Sequence, residues 1–131
     1  MRLHLYCVAR RPPKWAAEAS AEYEKRLTGQ LDFRPRDIAP CANAANPEQQ
    51  REREAQTLLK TLPDKAWLVA LDERGSAWTT LQLAARLDDW RQRGGDVVLA
   101  VGGAEGHAPG LRSAANEIWS LSPLTLPHAL A

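Results

Sequence analysis

Four titratable residues that follow apolar runs of the chain are the first candidates for chemistry, and they are Asp72, Glu73, Glu105 and His128. A histidine can act as a base at neutral pH, but a lone histidine is more often a hydrogen-bond partner. His4 and His107 have no evident partner in the sequence. No Ser-His-Asp or Cys-His arrangement stands out, so the residue types alone assign no nucleophile.

A glycine-rich segment, VGGAEG at residues 101–106, is a candidate binding loop. Because Gly102 and Gly103 have no side chain, backbone groups there can approach a ligand closely. The segment matches neither the P-loop nor the GxGxxG pattern, so phosphate or dinucleotide binding is not favoured. A glycine pair after a strand is also, and more often, a tight turn.

A second candidate loop is SLSPLTLPH at residues 120–128. Its leucines alternate with small polar residues between two prolines, a pattern too broken for a strand. Such a loop exposes backbone groups and apolar side chains together, which suits an adenine, an apolar ring with a hydrogen-bonding edge. Leucines that plug the core explain the same pattern equally well.

A predicted βαβ unit positions these segments. Continuous apolar runs at Ala66–Leu71 and Asp96–Val101 predict strands that are covered on both faces. Thr79 or Thr80 can cap a helix between them, and such a strand-helix-strand order predicts parallel strands. Ligands of parallel sheets gather at the carboxyl ends of strands, here after residues 71, 101 and 121. The predicted inner side of the helix carries Leu81, Ala84, Ala85, Leu87 and Trp90.

The other elements complete an alternation of strands and helices, which predicts an α/β sandwich around a mainly parallel sheet. Residues 3–9 form a first strand, and 14–27 form a helix in which Trp15, Ala19, Tyr23 and Leu27 are spaced four apart. Pro35 makes 31–38 an edge or irregular strand. Asn46 can cap a mobile, highly charged helix or loop at 46–62. A weaker helix at 109–116 precedes a last strand at 117–121.

Length and composition predict one globular domain, residues 1–131, with 44% hydrophobic and 25% charged residues. No apolar stretch approaches the roughly 20 residues of a membrane-spanning helix, so a cytoplasmic protein without membrane contact is expected. Cys7 and Cys41 lack the spacing of a disulfide framework or a metal site, so free thiols and no metal are expected. The formal net charge of +1 counts mildly against RNA as a partner, although charges gathered on one face would escape this count.

The segments LDERG, GGAEG and LSPLTLPH, in this order and spacing, resemble the pseudouridine N3-methyltransferases of large-subunit ribosomal RNA, a family of the SPOUT class. The N-terminal MRLHLYCVARRPPKW and the helix ending EYEKRL are also similar, so the resemblance covers the whole chain. It implies a SPOUT-type α/β knot fold, in which a deep trefoil knot forms the cofactor cleft. It also implies a homodimer that acts on 23S ribosomal RNA in the assembled 70S ribosome.

The implied reaction is methyl transfer from S-adenosylmethionine to N3 of a pseudouridine, a nitrogen that must lose its proton. Placing donor and acceptor within reacting distance would then be the main catalytic device. His128 matches a family histidine and is a weak candidate for orienting the substrate or handling the proton. The residues that the resemblance assigns to the cofactor are Leu71, Gly102, Leu121, Ser122, Pro123, Leu124, Thr125 and Leu126.

The chain departs from the family pattern at its end, because family members continue past the LPH loop with a further helix and a short tail. If Ala131 is the true end, an incomplete knot, weak or absent catalysis and an exposed apolar surface are expected. The alternative function is a degenerate or truncated SPOUT module that binds cofactor or RNA without catalysis. A small-molecule methyltransferase of the same fold is a minor alternative.

Overall fold

A computed structural model describes residues 1–9, 12–41, 44–102, 106–124 and 126. The chain alternates strands and helices as predicted. The strands are β1 (Arg2–Val8), β2 (Asp32–Ile38), β3 (Trp67–Ala77), β4 (Asp96–Val101) and β5 (Glu117–Ser120), and the helices are α1 (Lys14–Leu27), α2 (Pro47–Thr61), α3 (Thr80–Arg93) and α4 (Pro109–Ala114).

The five strands form one sheet in the order β2-β1-β4-β3-β5, and every pairing is parallel. The predicted parallel α/β architecture is therefore confirmed. The prediction that Pro35 lies in an edge strand is also confirmed, because β2 is at the edge of the sheet and pairs with β1 alone. A proline is tolerated there, since the missing N–H can face the side without a neighbouring strand.

Two apolar clusters cover the sheet. One packs β1 and β4 against α2 and α4, with Leu58 and Leu111 fully buried. The other, around Val69, Val97 and Trp90, packs β3 and β4 against α3. The central strands β3 and β4 carry side chains in both clusters, which accounts for their continuous apolar sequences.

Two helices are capped by residues that the sequence predicted as caps. Asn46 Oδ1 accepts a hydrogen bond from Gln49 N at 2.8 Å, so the segment predicted as a helix or loop begins as a helix at Pro47. Thr79 and Gln82 form a reciprocal capping box at the start of α3.

The prediction for the inner face of α3 was partly wrong. Leu81 is 82% exposed, and Ala84 and Ala85 are also exposed, whereas Leu87 and Trp90 pack against the sheet as expected. In the first turn of α3, the half-buried residue is Leu83, four positions before Leu87. The stripe on α1 also stays largely outside the core, with Trp15 and Tyr23 exposed and only Ala16 buried.

β3 is longer than predicted, because it resumes after the expected loop. Both Leu71 and Ser76 are register partners of Trp119 in β5, so residues 72–75 leave the ladder as an excursion within the strand. Gly75 makes this possible: a Cβ there would lie 2.5 Å from the carbonyl oxygen of Ile118, so a larger residue would not fit.

None of the described helices is both long and apolar enough to cross a membrane. Cys7 and Cys41 are half-buried free thiols, as expected. Burial, with a smaller contribution from Asp37, raises the pKa of Cys7 to about 11, so this thiol is protonated at neutral pH.

Candidate cofactor site at the carboxyl edge of the sheet

The carboxyl ends of β4, β3 and β5 lie side by side. Leu71 of β3 is in register with Val101 of β4 and with Trp119 of β5. Gly102 follows Val101 directly, and Leu121 lies two residues after Trp119. The structure therefore brings Leu71, Gly102 and Leu121 to one edge of the sheet, whereas Thr125 and His128 lie outside the described residues.

The loop after β5 exposes apolar side chains. The sequence left open whether its leucines are exposed for ligand binding or fill the core. Leu121, Leu124 and Leu126 are all exposed, and Pro123 is exposed between them. Ser122 shapes the turn: its carbonyl accepts from Ser120 Oγ at 2.9 Å, and its hydroxyl accepts from Leu124 N at 3.0 Å. The described leucines of this loop therefore do not plug the core.

Gly102 packs against its own loop. A Cβ at Gly102 would lie 2.9 Å from the carbonyl carbon of Gly106 and 3.1 Å from its Cα. The absence of a side chain is thus required for the loop to close, which corresponds to the tight-turn interpretation of the glycine pair. This does not exclude ligand contact through the backbone of Gly102.

A network of charged residues connects residues 72–75, the excursion within β3, to His107 and α4. Arg112 of α4 donates from Nη1 to the carbonyl oxygen of His107 at 3.1 Å and lies 3.6 Å from Asp72 Oδ2. Asp72 Oδ1 also accepts from the backbone N–H of Arg74 at 2.9 Å. Asp72 and Arg112 are largely buried, with side-chain exposures of 10% and 22%, so this ion pair is less screened than a surface pair.

His107 is a buried structural group in the described structure. Its Nε2 donates to the carbonyl oxygen of Ala100 at 2.9 Å, which is the partner that the sequence did not reveal. Burial lowers the pKa of His107; hydrogen bonding to Ala100 and the charge of Asp72 oppose this effect. His4 also has a partner, Asp96 Oδ1 at 2.8 Å, but this pair lies at the opposite, amino-terminal end of β1 and β4.

An aromatic cluster anchors β5, and so fixes where the last loop begins. Glu117 Oε2 accepts from Trp67 Nε1 at 2.8 Å and from Trp90 Nε1 at 3.2 Å, while the other carboxylate oxygen pairs with Arg86. Trp119 stacks on Trp78 with ring centroids 4.8 Å apart.

The exposed leucines of the loop after β5 offer an apolar surface of the kind that packs against a ligand ring. Within the part of the chain that the structure describes, no group of three or more His, Cys, Asp or Glu residues could hold a metal.

Sequence reasoning did not identify Arg112 or His107 as site residues. Arg112 is a charged residue within a helical segment, and the sequence does not show which charges are buried. The only available signal for His107 was its place beside the glycine-rich segment.

Comparisons with known proteins show the family to which the chain is similar. A family model described as "Predicted SPOUT methyltransferase" matches residues 1–131. A protein of Thioalkalivibrio sulfidiphilus is 41% identical over 132 residues, which cover 99% of this chain and 85% of that protein. Relatives in Stenotrophomonas maltophilia and Nitrosococcus oceani are each 40% identical, over 99% of this chain and 85% and 84% of their own lengths. All three are named "Ribosomal RNA large subunit methyltransferase H".

Proposed function

The chain belongs to the SPOUT methyltransferase family, and from this premise we propose that it methylates large-subunit ribosomal RNA with S-adenosylmethionine as the methyl donor. The specific target proposed is N3 of a pseudouridine in 23S ribosomal RNA of the assembled 70S ribosome. The names of the relatives support the class of substrate. The resemblance of the three loops supports the cofactor and the target atom.

One observation carries the proposal: the three segments that the resemblance assigns to the cofactor meet at neighbouring strand ends. Leu71 lies in register with the last residue of β4, directly before Gly102, and with Trp119, just before the last loop. Parallel α/β folds bind ligands at this edge. No nucleophilic side chain is needed, because N3 of the pseudouridine, once it has lost its proton, attacks the methyl group of the donor directly.

Each segment has a separate task in this proposal. The exposed Leu121, Leu124 and Leu126 would cover the adenine ring, while backbone groups near Leu71 and Gly102 would bind its polar edges. The cofactor supplies an electrophilic methyl group when bound. Thr125 and His128 remain proposed as a cofactor contact and a proton-handling group.

The experiment has two readouts. Calorimetric titration with S-adenosylmethionine measures binding, and incubation with ribosomes from a strain that lacks the modification measures methyl transfer. Binding followed by transfer to one pseudouridine is the expected result. Binding without transfer would favour the degenerate module, and the absence of binding would refute the assignment.

The proposal includes a homodimer, a cytoplasmic location and a single domain. Sedimentation equilibrium tests the dimer directly, with a mass near 29 kDa expected for two chains of 14.5 kDa each.

A further inference from the structure

The β3 excursion, residues 72–75, is held at both of its ends. Its last residue, Gly75, lies so close to β5 that a Cβ would be 2.5 Å from the carbonyl oxygen of Ile118. Its first residue, Asp72, is largely buried and pairs with Arg112 of α4. Since the excursion leaves the ladder with β5, contacts other than strand pairing must fix its conformation.

Arg112 connects the excursion to the segment that follows the glycine-rich loop. Its Nη1 donates to the carbonyl oxygen of His107 at 3.1 Å and lies 3.6 Å from Asp72 Oδ2. Asp72 directly follows Leu71, and His107 follows the glycine-rich segment that includes Gly102. Leu71 and Gly102 are both proposed cofactor contacts. One side chain therefore bridges two of the three proposed cofactor segments.

The surroundings of Asp72 make this bridge important for the shape of the excursion. The side chains of Asp72 and Arg112 are 10% and 22% exposed, so solvent screens their interaction weakly. The other carboxylate oxygen, Oδ1, accepts from the backbone N–H of Arg74 at 2.9 Å. Without Arg112, a largely buried carboxylate would lose its counter-charge, which favours movement of the excursion toward water.

We propose that Arg112 is a positioning residue for the cofactor. Through Asp72 and the carbonyl oxygen of His107, it keeps two cofactor segments in their binding arrangement before the ligand arrives, without touching the ligand itself. The inference rests on the proposed function for the identity of the ligand, and it adds a residue of α4, a helix outside the three cofactor segments. Apparent affinity falls in proportion to the population of the binding-competent conformation, so a loosened excursion should bind S-adenosylmethionine more weakly.

Calorimetric titration of the full chain with S-adenosylmethionine, at a temperature where every variant remains folded, tests this role. Arg112→Gln should raise the Kd about tenfold, which corresponds to an excursion that keeps its binding arrangement about a tenth of the time. Arg112→Lys retains a cation that can pair with Asp72 and should recover most of the affinity. As the matched control, Arg91→Gln removes an exposed ion pair with Asp88 on α3 and should bind like the unmodified chain.

Asp72→Asn tests the route through which Arg112 acts. Asparagine keeps an oxygen that can accept from the N–H of Arg74 but has no charge, so this variant should also bind more weakly. The double variant Asp72→Asn/Arg112→Gln should weaken binding by less than the product of the two single effects, because both substitutions break the same contact. Effects that multiply fully would show that Arg112 does not act through Asp72.

A second measurement needs no ligand and separates positioning from overall stability. The backbone amide of Arg74 reports on the excursion, because its N–H donates to Asp72, and the amide of Gln82, which donates to Thr79, reports on the start of α3. In NMR spectra of the ligand-free chain, Arg112→Gln should shift the Arg74 signal and leave the Gln82 signal in place. Weaker binding with an unmoved Arg74 signal would overturn the inference.

The inference and the proposed function fail separately. The absence of S-adenosylmethionine binding by the unmodified chain would refute the proposed function. Binding with the same Kd in the unmodified chain and in Arg112→Gln would refute the inference and leave the proposed function intact. If Arg112→Gln fails to fold, the Kd of Asp72→Asn decides, and a value equal to that of the unmodified chain overturns the inference.

Discussion

At the scale of single residues, the buried His107 holds the candidate site in shape. His107 binds the carbonyl oxygen of Ala100, and its own carbonyl oxygen accepts from Arg112, which pairs with Asp72. The side chain and the backbone of one residue thus connect β4, α4 and the β3 excursion. Burial disfavours the protonated form of this imidazole, because protonation would place a charge largely out of contact with water.

This predicts a defined pH dependence of stability. Burial lowers the pKa of His107 in the folded chain below its ordinary value of 6.5. The unfolded chain therefore binds a proton more readily, and the free energy of unfolding falls as the pH drops below about 6.5, by up to roughly 1.4 kcal/mol per pH unit between the two pKa values.

Chemical denaturation of the unmodified chain and of His107→Leu, from pH 8 to pH 5, measures this dependence. The difference in unfolding free energy between the two proteins should favour the unmodified chain most at high pH and shrink toward pH 5. The other ionisable groups are the same in both proteins, so the comparison isolates His107. A difference that grows on acidification would contradict the assignment.

A second prediction at this scale concerns two glycines with different surroundings. Gly102→Ala places a Cβ 2.9 Å from the backbone of Gly106, so it should destabilise the chain by about 1–3 kcal/mol and weaken S-adenosylmethionine binding. Gly110→Ala, in α4, meets no atom within 4 Å and should be neutral or stabilising by about 0.4–1 kcal/mol. Thermal unfolding and calorimetry of both variants test this pair, and equal effects would be inconsistent with the packing described.

At the scale of elements, the sequence predicted the strands and helix caps that depend on residues close together in the chain. The strands of the βαβ unit and the caps at Asn46 and Thr79 all depend on neighbouring residues, and the structure confirms them. The resumption of β3 after Gly75 could not be predicted, because it depends on pairing with β5, more than 40 positions further along the chain. The face of α3 was misjudged at Leu81, which is 82% exposed, because the residue one helical turn before Leu87 on the same face is Leu83.

The candidate site was also predictable only where it depends on local sequence. The sequence placed the three loops at one edge of the sheet, because parallel strands end on the same side. It could not show that Arg112 pairs with Asp72, since the two residues lie in different elements. This ion pair is decided by how α4 rests beside the β3 excursion, which is a property of packing between elements far apart in the chain.

The start of α3 provides a prediction about an element. Thr79 Oγ1 accepts from Gln82 N at 3.1 Å, and Gln82 Oε1 accepts from Thr79 N at 2.8 Å. Thr79→Ala removes the first of these bonds and should cost about 1 kcal/mol of unfolding free energy. Thr80→Ala, one residue into the helix and exposed, should change it by less than about 0.5 kcal/mol. Urea denaturation compares the two variants, and equal losses would show that the cap does not stabilise α3.

At the scale of the whole molecule, two apolar clusters fill opposite faces of the sheet, and the proposed cofactor site lies at its carboxyl edge. The exposed leucines of the described structure are found at two places, Leu81 on α3 and the loop after β5. Leu124 is 72% exposed and Leu81 is 82% exposed, so neither contributes much to the folding of the ligand-free chain. They differ in position, because only Leu124 belongs to the proposed cofactor site.

Substitutions of Leu124 and Leu81 separate an effect on ligand binding from an effect on folding. A ligand at 100 times its Kd stabilises the folded state by about 2.7 kcal/mol, so S-adenosylmethionine should raise the Tm of the unmodified chain by roughly 10 °C. Leu124→Ala removes apolar area from the proposed adenine contact, and at the same ligand concentration it should reduce that increase by about half while leaving the Tm without ligand unchanged. Leu81→Ala should retain the full increase. If both variants respond alike in thermal unfolding, the loop after β5 does not contact the cofactor, and the leucines it exposes must have another partner.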